Sequence, residues 1–128
     1  MTWTAITTDS KWACTQYATS RALARHVPAH QYEFADRRAP LLAPGPTTMP
    51  MGAQHASELW SLFDLGGFSP EFTPGQQRLS ERMIDQWAAF ARTGSTDWPR
   101  FPYVEELTPR GSGPVDFVGR HHCAFWGG

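Results

Sequence analysis

Thr73-Pro74-Gly75-Gln76-Gln77-Arg78-Leu79-Ser80-Glu81-Arg82-Met83-Ile84-Asp85-Gln86-Trp87-Ala88-Ala89-Phe90-Ala91-Arg92-Thr93-Gly94 reads as one long amphipathic helix. Thr73 supplies an N-cap oxygen, Pro74 suits the first helical position, and Gln76, three residues after Thr73, completes a capping box. Leu79, Met83, Trp87, Phe90 and Ala91 recur at helical spacing, so one apolar stripe with Trp87 and Phe90 in the core is expected. Gly94 ends the helix.

Upstream of this helix, His55-Ala56-Ser57-Glu58-Leu59-Trp60-Ser61-Leu62-Phe63 turns helical, with Leu59, Leu62 and Phe63 at i, i+3 and i+4. Residues 36–54 hold four prolines and two glycines and can be neither helix nor central strand. A structureless stretch that long inside a domain is usually functional or a linker. His55 therefore stands at the end of a long loop, at the mouth of a helix. Farther upstream, His30 to Ala35 alternates in polarity and predicts a strand with Tyr32 and Phe34 on one face. Thr8, Asp9 and Ser10 are candidate caps for a helix over about 11–25, which Val27-Pro28 stops. Downstream come a Trp98-Pro99 turn, a Pro/Gly-rich stretch from Pro109 to Pro114, a short strand over Val115–Val118 and the tail His121-His122-Cys123-Ala124-Phe125-Trp126. Helix, strand, helix implies an α/β class, and residues 1–128 read as one domain piece.

Composition narrows the function classes. The chain of 128 residues is 41% hydrophobic and 13% aromatic, as globular proteins are, and its net charge is −1. Ten Arg and the single Lys, Lys11, are scattered among twelve acidic residues, so nucleic acid and anionic membranes are not the expected partners. No apolar run has the length of a membrane span, and the N-terminus carries no signal-peptide pattern.

Read one by one, the reactive residues say little. His26 and His30 flank Pro28 and cannot share a helical face, and adjacent side chains at His121-His122-Cys123 diverge in a strand, so no metal site is expected. A Gly-x-Ser-x-Gly nucleophile elbow does not occur; Gly111-Ser112-Gly113 has the wrong glycine spacing. Cys14 and Cys123 fit no metal spacing, and compartment statistics alone favour two separate buried thiols.

Four separated signatures, in order, say more. Thr8-Asp9 followed by Cys14, Gln31-Tyr32-Glu33-Phe34-Ala35, and Gly52-Ala53-Gln54-His55-Ala56-Ser57-Glu58-Leu59 are followed by Met83 to Gly94, then Trp98-Pro99 and Cys123-Ala124-Phe125-Trp126. Together they resemble the C-terminal region of the type-B carboxylesterase, para-nitrobenzyl esterase and cholinesterase family. The resemblance spans nearly the whole chain, and the Trp87–Gly94 block with the His55 motif at this distance is its most specific part. Ala56 departs from the pattern, which has glycine after the histidine.

The resemblance implies the C-terminal portion of an α/β-hydrolase fold, an incomplete sheet with packed helices. It implies His55 as the catalytic histidine of a serine esterase, acting on an ester substrate in the intact enzyme, with no cofactor. Glu58 has two readings: a glutamate that orders the polar network near the triad, as the resemblance implies, or a carboxylate favoured by the helix N-terminus. The family's serine and acidic residue come earlier in chain order, so the chain alone is expected to be inactive and to need the N-terminal part of the hydrolase as its partner. Asp36 and Glu33 lie too near His55 in sequence to take the acid's place. The resemblance further implies a Cys14–Cys123 disulfide and a secreted parental enzyme. Met49 and Met51, just before His55, are candidates for a pocket wall. The alternative from another class is a non-catalytic interaction module derived from the esterase fold.

Overall fold

The computed structural model describes residues 3–42, 50–67 and 69–127. The elements are α1 (Trp3–Thr8), a π-helical turn (Asp9–Ala13), α2 (Cys14–Leu23), β1 (Gln31–Phe34), α3 (Leu59–Leu62), α4 (Pro74–Thr93), β2 (Val104–Thr108), β3 (Gly111–Pro114) and α5 (Phe117–Arg120). They fall into two units. The first comprises Met1–Gln31, Trp98–Glu105 and Pro114–Gly128, the second Tyr32–Asp97 and Glu106–Gly113.

In the first unit the N-terminal helix begins earlier than the capping residues suggest. Thr8 has helical backbone angles and caps nothing with its side chain. Ser10 turns its hydroxyl back to the Ile6 carbonyl at 2.7 Å, the local bond by which serine is tolerated within a helix. The π-helical turn has a consequence for packing. Residues five apart on an α-helix point about 140° away from each other, whereas the wide turn, closed by the Cys14 N–H on the Asp9 carbonyl, stacks them on one side. Asp9 and Cys14 are both buried there, 5% and 1% exposed. Cys14 is joined to Cys123, with Cα atoms 5.1 Å apart across 109 residues of sequence. Val104, Phe117 and the two cysteines form the core, with Tyr17, Val115, Val118 and Trp126 packed on it.

Residues 115–118 are not the expected strand. Asp116 caps α5 by accepting the Gly119 N–H, so Phe117 enters a helical turn and buries its ring against that of Tyr17, centroids 5.7 Å apart. The second unit is organised by α4, whose caps are as read: Thr73 and Gln76 form the reciprocal box, and Gly94 exits with φ 70°. Leu79 and Met83 pack with Leu107 of β2 and with Tyr32, Phe34 and Leu62. Burying each of these three central side chains contributes about 1.5–3 kcal/mol. The lower half of the stripe is different, since Trp87 and Phe90 remain 47% and 46% exposed rather than in the core.

The sheet has the order β1-β2-β3. Tyr32 and Phe34 share the face turned to α4, as alternation requires. β2, Val-Glu-Glu-Leu-Thr, carries two residues poor in strands, which hides it in the sequence. Its Glu105 is nonetheless buried, and the Tyr103 hydroxyl donates to its carboxylate at 2.7 Å. A two-residue connection makes β2 and β3 an antiparallel hairpin. Among the described residues no helix is long and apolar enough to cross a membrane.

Candidate active-site turn

The loop that carries His55 is fastened at both ends in the second unit. After β1 the Ala35 N–H reaches the Leu107 carbonyl at 2.9 Å, and Asp36 turns inward, 5% exposed. One Asp36 oxygen accepts the Arg38 N–H at 2.9 Å, and the other accepts the Gln76 side-chain amide at 2.8 Å. Gln76 also donates to the Arg38 carbonyl at 3.0 Å while its own oxygen accepts the Thr73 N–H at 3.0 Å. A single buried amide thus completes the capping box of α4 and fixes the start of the loop. The sequence shows only the first of these roles, because Asp36 lies 40 residues away.

Residues 43–49 lie outside the described region, and with them Met49; Met51 is 43% exposed. The first part of the loop is also tied to α3, whose Trp60 indole donates to the Leu41 carbonyl at 3.3 Å. α3 is pinned to α4 by the buried Ser80 hydroxyl, 2.7 Å from the Ser61 carbonyl.

His55 stands exposed on a tight turn immediately before α3. The turn is closed by Ser57, only 1% exposed, which directs both its N–H (3.0 Å) and its hydroxyl (2.7 Å) to the Gln54 carbonyl. Ala56, between them, has φ 66°, the left-handed conformation glycine favours at the third place of such a turn. Helix begins only at Leu59, and Phe63 already leaves it in an extended conformation, 53% exposed, so the expected apolar side of α3 is reduced to Leu59 and Leu62.

Glu58 is half-buried at the end of this turn. Its carboxylate is felt by Tyr32 of β1. Burial is the main cause that pushes the Tyr32 phenol above its ordinary value of 10.0, Glu58 adds to the rise, and a hydrogen bond with Trp87 opposes it. The rings of Tyr32 and Trp87 meet edge to face, centroids 6.4 Å apart. The strand and α4 therefore meet at Tyr32, whose phenol also feels the Glu58 carboxylate of the turn, through side chains that sequence spacing does not connect.

In the first unit a different histidine is paired: His121 Nδ1 lies 2.8 Å from Asp9 Oδ1, and its ring meets that of Phe117 with centroids 4.5 Å apart. Among the described residues no group of three His, Cys, Asp or Glu is placed to hold a metal ion. An exposed imidazole on a hydrogen-bonded turn can accept and return a proton, provided a nucleophile is brought to it.

Comparison with known proteins gives this turn a context. The model of a family described as the carboxylesterase family matches residues 1–113. An acetylcholinesterase of Bungarus fasciatus is 33% identical over 115 residues, 80% of this chain and 18% of its own length. A human cocaine esterase is 32% identical over 112 residues, 78% of this chain and 19% of its own. An acylcarnitine hydrolase of Rattus norvegicus is 34% identical over 80 residues, 61% of this chain and 14% of its own. The chain thus spans less than a fifth of the curated relatives it matches.

Proposed function

The chain belongs to the carboxylesterase family, and from that premise we propose that it is the C-terminal part of a serine-type carboxylic-ester hydrolase, to which it contributes the catalytic histidine, His55. The family implies an α/β-hydrolase fold, and the helices with the small sheet of this chain are compatible with part of one. The observation that carries the reading is the position of His55: exposed, on a hydrogen-bonded turn, inside the segment Gly52–Leu59 that resembles the family's histidine motif, within the matched region.

In the assembled enzyme the His55 imidazole takes the proton of a serine hydroxyl from the upstream part of the fold as that oxygen attacks the ester carbonyl. The proton then passes to the departing alcohol, and the same imidazole activates water against the acyl-serine. Such transfer is worth about 10²–10⁴-fold. Glu58 serves by ordering the polar surroundings of the turn, with Tyr32 and Trp87 behind it. The disulfide supports an oxidising compartment for the protein, hence a secreted parental enzyme.

The test is complementation. This chain is co-expressed with an elbow-bearing N-terminal segment of a related esterase, and fluorophosphonate labelling and para-nitrophenyl acetate hydrolysis are followed. Activity that needs both parts, and falls at least 100-fold in His55→Ala, supports the proposal. Equal activity in His55→Ala removes His55 from the chemistry, and assembly without any activity favours the non-catalytic module.

A further inference from the structure

We propose that Ser57 is the positioning residue of His55, its buried hydroxyl holding the histidine turn in a left-handed form that Ala56 by itself disfavours. The inference rests on the reading of His55 as the proton-transfer group. In the turn Gln54–Ser57 the residue after the histidine has φ 66° and is alanine. A Cβ in that region crowds the backbone, so the isolated peptide would leave the turn for extended conformations. Something must hold it. The Gln54 carbonyl receives two bonds from the same residue, the Ser57 N–H at 3.0 Å and the Ser57 hydroxyl at 2.7 Å. The backbone bond alone is the ordinary closure of such a turn; the hydroxyl bond is additional and lies out of water, since Ser57 is 1% exposed.

The remaining connections run the same way. The Ala56 carbonyl accepts the Leu59 N–H at 3.2 Å, so the left-handed residue is also the point from which α3 starts. A change of φ at Ala56 would move His55 relative to α3, and α3 is fixed to α4 through Ser61 and Ser80. Ser57 therefore converts a strained one-residue excursion at Ala56 into a fixed offset between the imidazole and the rigid part of the unit. A histidine that must meet a serine within hydrogen-bond reach depends on such an offset, because a displacement of about 1 Å is enough to lower the rate by about 100-fold.

The experiment uses the chain as it stands, with backbone and imidazole relaxation measured by NMR at His55 and, as internal references, at His26 and His30. In the wild type the His55 amide is expected to be rigid, with an order parameter near 0.85. Ser57→Ala should lower it below about 0.6 while the two references keep theirs, Ser57→Thr, which retains the hydroxyl, should restore it, and Ala56→Gly introduced into Ser57→Ala should recover part of the order. Unchanged order at His55 in folded Ser57→Ala overturns the proposal, as does equal loosening of all three histidines. Should Ser57→Ala fail to fold, Ser57→Thr and Ser57→Cys decide: both are close in size, and equal His55 order in the two would show that a strong hydroxyl donor is not what holds the turn. None of these outcomes reads catalysis, which the complementation assay reports separately.

Discussion

His121 Nδ1 and Asp9 Oδ1 lie 2.8 Å apart although 112 residues separate them in the chain. Both side chains are largely shielded, 12% and 7% exposed. The bond joins the π-helical turn to the residues just before Cys123, parallel to the disulfide, so the tail is attached to the first helix at two neighbouring points. Removing either member breaks this shielded bond. Asp9→Ala and His121→Ala should each destabilise the chain by about 1.5–3 kcal/mol. Urea unfolding of the two single variants and the double variant checks this: the double should lose much less than the sum, since the bond the two residues share can be lost only once.

The Cys14–Cys123 bridge closes a loop with a sequence separation of 109. In the chain-entropy account a cross-link of that span stabilises by about 4–5 kcal/mol. Cys14→Ser with Cys123→Ser should therefore lower stability by that order, and dithiothreitol should shift the wild-type unfolding midpoint to the value of the double variant. Intact mass after iodoacetamide should show two added groups only when reduction comes first.

Tyr32 makes the stability of the second unit sensitive to alkali. Its phenol is held above 10.0 in the folded chain, by burial first and by Glu58 next. Above the ordinary phenol value the unfolded chain releases its proton while the folded chain still keeps it, so the unfolded state gains and stability falls as pH rises past about 10. Below that pH both states carry the proton and the contribution is constant. Tyr32→Phe should flatten the alkaline limb of a stability-versus-pH curve measured by denaturant unfolding between pH 8 and 11, and an unchanged slope would refute the assignment. Glu58→Gln should reduce the slope by a smaller amount.

Gly75, in the first turn of α4, is a place where helix propensity gives the wrong sign. Alanine in a helix is favoured over glycine by about 1 kcal/mol. Here, however, an added Cβ would stand 2.8 Å from the Pro109 carbonyl oxygen and 3.2 Å from the Pro109 Cβ. The backbone oxygen cannot rotate away. Gly75→Ala should destabilise by about 1–3 kcal/mol, the ordinary cost of overpacking, as a lowered thermal midpoint with unchanged helix content in circular dichroism.

What the sequence determined by itself is local or patterned. The capping box and the glycine exit of α4 were legible because each involves residues within four positions of one another, and the Tyr32/Phe34 strand face because alternation is a property of the strand alone. The succession of family signatures marked the relationship and pointed to His55. It also pointed to the cysteine pairing, which residue spacing left open.

The tertiary structure decided what depends on partners distant in the chain. It turned Asp9 from a helix cap into the mate of His121, since a π-helical turn set it on the face of Cys14, and no period in the sequence announces such a turn. It made a strand of Val104–Thr108 by satisfying Glu105, and a helical turn of residues 117–120 by placing Asp116 as the cap. At the site it assigned Gln76 to Asp36, Tyr32 to Glu58 and Ser57 to the Gln54 carbonyl. The last of these is short in sequence yet was unreadable there: a serine three residues after a carbonyl is common, and only its burial, together with the positive φ of Ala56, turns that ordinary bond into a constraint on the histidine.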